Sequence, residues 1–121
     1  MKTTVKADPR LAYVKTVLRE YVWLPGTPKK ASRQDWCLAA SLYDRNVPLH
    51  AVRSALCLAG ARRSLRLSQA PPLQPVRSLH YFTSTLDEVL AMPLDPGYVD
   101  YLHSKLQPLA QAKLVASSQG A

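Results

Sequence analysis

Proline placement constrains this chain more than any other feature. There are ten prolines, and almost all lie at the edges of apolar runs. A proline lacks a backbone N–H and has a fixed φ, so it opens a helix or stops one. Asp8-Pro9 is a helix cap followed by proline at the first helical position. Leu11, Val14, Leu18, Tyr21 and Val22 then recur at helical spacing and predict a helix over 9–23. Leu24-Pro25-Gly26-Thr27-Pro28 must break it, and Lys29 and Lys30 make the linker basic.

Ser32 opens a second helix, with Asp35 three residues on as the shorter form of a capping-box acid. Trp36, Ala39, Ala40 and Tyr43 share one face, flanked by Leu38 and Leu42. The helix should end near Arg45-Asn46, because Asn tolerates the left-handed conformation. Pro48 opens a third helix with the stripe Leu49, Val52, Leu56 and Ala59, running to about Leu67. Residues 68–75 form a proline-rich linker. A fourth helix places Leu79, Phe82, Leu86, Val89 and Leu90 on one side, and Met92-Pro93 stops it. Asp95-Pro96 starts a fifth, carrying Val99, Leu102 and Leu106, which Pro108 should kink or end. No alternating pattern predicts a sheet. The expectation is an all-α bundle of about five helices in one domain over 1–114, with a frayed tail at 115–121.

A chain of 121 residues with 47 % hydrophobic content builds one core without a metal or disulfide. Cys37 and Cys57 each sit in an apolar run and read as core thiols of a reducing compartment, although spacing alone leaves a disulfide open. The N-terminus has charge but no apolar stretch behind it, which predicts no secretory leader. No run approaches the ~18 apolar residues of a membrane span. Together these predict a cytoplasmic protein that does not enter a membrane.

The net charge of +8 is unevenly distributed. Residues 1–80 hold fourteen Lys/Arg against four Asp/Glu, whereas residues 81–121 hold two against four. A basic body with a mildly acidic end is the footprint of a polyanion binder, with charge kept for solubility as the plainer alternative.

Residues 38–56, LAASLYDRNVPLHAVRSAL, have the spacing of a helix-turn-helix. Small Ala39 lets two helices cross, Asn46 turns the chain, and Val47 and Val52 fill the space between them. The second helix would show His50, Ala51, Arg53 and Ser54 to a DNA groove, with Arg53 on guanine. Arg62, Arg63 and Arg66 would meet phosphates further along, and Lys29, Lys30 and Arg33 precede the helix pair. A plain helical hairpin is the alternative. Within PVRSLHYF, residues 75–82, Arg77, His80, Tyr81 and Phe82 form either a stacking and phosphate-contact surface or a helix start with Leu79 and Phe82 in the core.

Chemistry is sparse. His50, His80 and His103 show no metal-ligand spacing with each other or with the cysteines. There is no glycine-rich phosphate loop and no nucleophile elbow. Asp87-Glu88 reads as a solvated face, and the six tyrosines as packing residues with wet hydroxyls. The sequence predicts neither an enzyme nor a cofactor.

Residues 38–56, in the longer segment 33–67, resemble the helix-turn-helix DNA-binding class. The span from Leu24-Pro25-Gly26-Thr27-Pro28 through PVRSLHYF resembles small bacterial proteins of similar pattern. NVPLHAVRSALCLAGARR with the following linker and helix is distantly similar to the DnaD-type replication-initiation helical domain. The resemblance covers about half the chain. It implies DNA as partner, favoured over RNA, in replication, transposition, transcription control or mobile-element metabolism. It carries over no functional residue. The C-terminal helices are left for a protein partner or a homodimer. An adaptor or small subunit of a nucleoprotein complex, binding RNA or single strands by charge and shape, is the alternative, with Trp23, Trp36, Tyr81 and Phe82 as its stacking or partner surfaces.

Overall fold

The computed structural model describes residues 8–66, 69–71 and 73–119. Their regular structure is helical: α1 is Pro9–Trp23, α2 Arg33–Asp44 and α3 Leu49–Ser64. A 3-10 turn, Leu79–Phe82, runs into α4, Thr83–Ala91, and α5 is Pro96–Gln119. No strand occurs among the described residues, and the all-α, five-helix architecture stands.

The helix starts are set locally. The Asp8 carboxylate accepts the Arg10 N–H at 3.0 Å, with Pro9 opening α1. In α2 the capping box is complete. The Ser32 hydroxyl accepts the Asp35 N–H at 3.1 Å, and Asp35 Oδ2 accepts the Ser32 N–H at 2.9 Å. Asn46 stands at φ 62°, and the Val47 N–H returns to the Leu42 carbonyl at 3.0 Å. This left-handed cap makes the tight α2–α3 turn that the spacing predicts. Asp95 Oδ2 accepts the Gly97 N–H at 3.0 Å at the start of α5.

Helix α3 is the axis of the bundle. It packs against α1, α4 and α5, and nine of its 16 residues are buried. Tyr21, Leu24, Leu56, Leu106, Val14 and Val17 are sealed from solvent around it. Burial of each such side chain contributes about 2 kcal/mol. Gly60 lets this happen, because a Cβ there would lie 3.0 Å from Leu24 Cδ2 and 3.4 Å from Leu106 Cδ1.

Several sequence expectations need correction. Pro108 does not end α5, which continues to Gln119. Pro108 and Ser104 lie on the exposed side, so the Ser104 carbonyl that proline leaves without an N–H partner faces solvent. α3 closes at Ser64, with Leu65 as its cap; the expected end at Leu67 lies outside the described residues, as does part of the 68–75 linker. Cys37 is exposed and only Cys57 is buried; both are free thiols. Trp36 is exposed and Leu42 takes the core position, because the buried face of α2 runs through Asp35, Ala39, Ala40 and Leu42. Leu90 is exposed, while Leu79, Phe82, Leu86 and Val89 are buried. The hydroxyls of Tyr13 and Tyr21 are dry rather than wet.

Candidate nucleic-acid interface

One carboxylate organises one end of the bundle. Asp35 is 1 % exposed, at the third position of α2. Besides its capping bond, its Oδ1 accepts the Leu79 N–H at 2.9 Å and the Ser78 hydroxyl at 3.4 Å. The segment before the 3-10 turn is thereby tied to the start of α2. Beside it, the Val76 N–H donates to the Gly26 carbonyl at 2.8 Å, with Gly26 at φ 81°. A left-handed turn residue without a side chain leaves space for the Arg63 guanidinium, 3.5 Å from where a Cβ would stand. Arg63 Nη2 donates to the Gln74 carbonyl at 2.8 Å, and its guanidinium lies over the Tyr81 ring at 5.3 Å. Arg66 donates to the Pro71 carbonyl at 2.6 Å. The α1–α2 loop and the linker after α3 are therefore bound into one surface.

Lys113, on α5, joins it from the far end of the sequence. Its ammonium donates to the carbonyls of Val22 at 2.6 Å and Leu24 at 2.8 Å, and to Thr27 Oγ1 at 2.8 Å. These oxygens include orphan acceptors at the end of α1, which a lysine can cap. Burial pushes the Lys113 pKa down.

The charge pattern follows from what is already paired. The ion pairs among the described residues are Arg10–Asp44 at 2.9 Å, Arg53–Glu20 at 3.2 Å and Arg62–Glu88 at 2.9 Å. Hydrogen bonding to Arg62 holds Glu88 below its ordinary pKa and raises that of Arg62; Arg10 and Asp44 behave likewise. Lys29, Lys30, Arg33 and Arg77 are exposed and make no ion pair among the described residues. Asp35, two residues from Arg33 on α2, is buried and turned onto backbone and hydroxyl donors.

The sequence candidates thus separate. Lys29, Lys30, Arg33 and Arg77 lie on the segments that Asp35 and Gly26 join, and Arg63 and Arg66 bond to the same linker. His50, Arg53, Ser54 and Arg62 lie elsewhere. Ser54 is 7 % exposed and Ala51 is buried, so the outer face expected of a groove-reading helix is partly interior. For Ser54 the physical reason is α5, which packs along α3, whereas Ala51 joins the central core. His50, Arg53, Ser54 and Cys57 line a groove of about 510 Å3 with Val99, Asp100 and His103 from α5. Two histidines and a cysteine do meet there, yet no three His, Cys, Asp or Glu among the described residues are arranged to hold a metal. Burial pushes the Cys57 thiol up to about 11. Of the PVRSLHYF readings, Leu79 and Phe82 are core, with Arg77 and Tyr81 outside.

Two residues beside this surface, Arg19 and Lys113, had no local sequence signal; with Lys29 and Trp23, the latter expected as a stacking or partner residue, they line a second groove of about 340 Å3. Trp23 also stacks on His103, ring centroids 4.4 Å apart and nearly parallel at 4°.

No protein-family model matches the chain, and neither a curated protein nor a solved structure matches it. No helix among the described residues is long and apolar enough to cross a membrane.

Proposed function

We propose that this protein is a non-enzymatic nucleic-acid-binding module that holds the phosphate backbone with the basic end of its bundle. The observation that carries the reading is the convergence of Lys29, Lys30, Arg33 and Arg77, exposed and outside any described ion pair, on segments joined through Asp35. Unpaired cations on a fixed surface neutralise phosphates and release counterions, giving affinity without base readout. Arg63 and Arg66 position the linker and add charge behind the exposed set. This favours recognition by charge and shape, in an adaptor or a subunit of a nucleoprotein complex. Exposed Tyr98, Tyr101 and Leu109 on α5 offer apolar surface to a protein partner or a second copy.

Duplex reading by a helix-turn-helix is the second reading, favoured by the left-handed Asn46 turn between α2 and α3. The burial of more than half of α3 weighs against its entry into a major groove.

Fluorescence anisotropy with mixed-sequence duplex, single-stranded DNA and RNA over a salt series tests both. Backbone recognition gives affinity that falls steeply with salt and changes little with sequence. Strong discrimination between duplex sequences would move the function to α3, and absence of binding to any of the three would remove the reading.

A further inference from the structure

The groove between the end of α1 and the last turns of α5 has a composition that the phosphate surface alone does not require. Resting on the nucleic-acid reading above, the geometry points to a subsite for one unpaired nucleotide, with its base against Trp23 and its phosphate on Arg19 and Lys29. The groove, about 340 Å3, is lined by Trp23, Ala110, Leu114, Gln111, Arg19 and Lys29. Its volume exceeds that of a nucleobase and falls at the small end of ligand-binding clefts.

Each part of a nucleotide finds a matching group. One face of the Trp23 indole is taken by His103, in a parallel stack at 4.4 Å. That stack fixes the ring, so its remaining surface is a rigid platform that loses little freedom when a base packs on it. Ala110 and Leu114 supply apolar lining in the same groove. The Gln111 amide presents a donor and an acceptor for a base edge. Arg19 and Lys29 form no ion pair among the described residues; Arg19 makes only a long 3.4 Å hydrogen bond to Thr16. The third cation, Lys113, is not available, because its ammonium is held by the oxygens of Val22, Leu24 and Thr27. The floor is therefore closed by a satisfied amine and the rim carries the free charge. A base within a duplex has both faces covered by its neighbours, so this site selects single strands over paired ones.

The test uses the full chain with Trp36→Phe, which leaves Trp23 as the sole tryptophan reporter. Three probes carry equal numbers of phosphates: oligothymidylate, the same oligomer with abasic residues, and a blunt duplex. The expected result is quenching of Trp23 by oligothymidylate only, with affinity about tenfold above the abasic oligomer, as base–aromatic stacking implies. A Trp23→Leu variant that retains its helical circular dichroism should bring the two affinities together. Equal affinity for thymidylate and abasic oligomers, with Trp23 fluorescence unchanged, overturns the subsite and leaves the phosphate surface standing. No binding of any oligomer overturns both readings. Equal quenching by a glutamate-rich peptide overturns the nucleotide subsite in favour of an acidic protein partner.

Discussion

The Asp35 carboxylate accepts the backbone N–H of Leu79 at 2.9 Å, across 44 residues of sequence. The same side chain caps α2, so one buried group couples a local helix start to a distant linker. Asp35→Ala removes the cap and leaves the Leu79 N–H without its partner inside the protein. The expected loss of stability is about 3 kcal/mol. Urea denaturation followed by circular dichroism measures it. A loss as small as that of an exposed cap would show that the Leu79 bond contributes nothing.

The basic end predicts a division among the cations. Changing Lys29, Lys30, Arg33 and Arg77 together to Gln should lower the slope of log affinity against log salt by about 3, at roughly 0.7–0.9 for each phosphate no longer neutralised. Arg10, Arg53 and Arg62 are held by Asp44, Glu20 and Glu88. Their combined change to Gln should leave that slope nearly as it is. Equal effects of the two variants in binding titrations would mean that net charge acts rather than this surface.

Two buried tyrosines should respond in opposite directions to loss of the hydroxyl. Tyr13 donates to the Val47 carbonyl at 2.9 Å, whereas the buried Tyr21 hydroxyl has no partner among the described residues. Tyr13→Phe is expected to cost about 1 kcal/mol, and Tyr21→Phe to gain about 1 kcal/mol, by removing an unsatisfied group. In thermal melts the two variants should fall on opposite sides of the parent, each by several degrees. A destabilised Tyr21→Phe would point to an internal water on that hydroxyl.

Alkaline pH should unfold the protein through the same groups. Burial pushes Tyr13 and Tyr21 up to about 12 from an ordinary 10.0, and Cys57 up to about 11 from 9.0. Below pH 9 these groups are protonated in both states, and their contribution is fully present. As pH rises, the unfolded chain loses its protons first, so stability declines between about pH 9 and 12. Denaturation midpoints from pH 7 to 11 check this, and a flat profile above pH 9 would contradict it.

Much of the fold was legible because its causes are local. Asp8-Pro9, the Ser32–Asp35 box and Asn46 each act within a few residues through backbone hydrogen bonds. Apolar spacing located Val14, Leu56, Leu86 and Leu106 in the core for the same reason. Periodicity marks which positions share a face of a helix but not which face is covered. Trp36 therefore reads as inward by spacing and Cys37 by its apolar run, although the buried side of α2 runs through Asp35, Ala39, Ala40 and Leu42.

The site was legible only in part. Sequence supplied the basic residues and their excess over acids, because charge is additive along a chain. It did not show that Glu20 would meet Arg53 or that Glu88 would meet Arg62. Nor did it show that α5 would cover Ser54, or that Lys113 would cap the end of α1 from 91 residues away. Helix identity and the Asp8, Ser32 and Asn46 caps depend on neighbours within a turn or two, and total charge on composition alone, so the sequence by itself determined them. Which cations stay free, and which helix face stays open, depends on contacts between distant segments, and only the tertiary structure decided those.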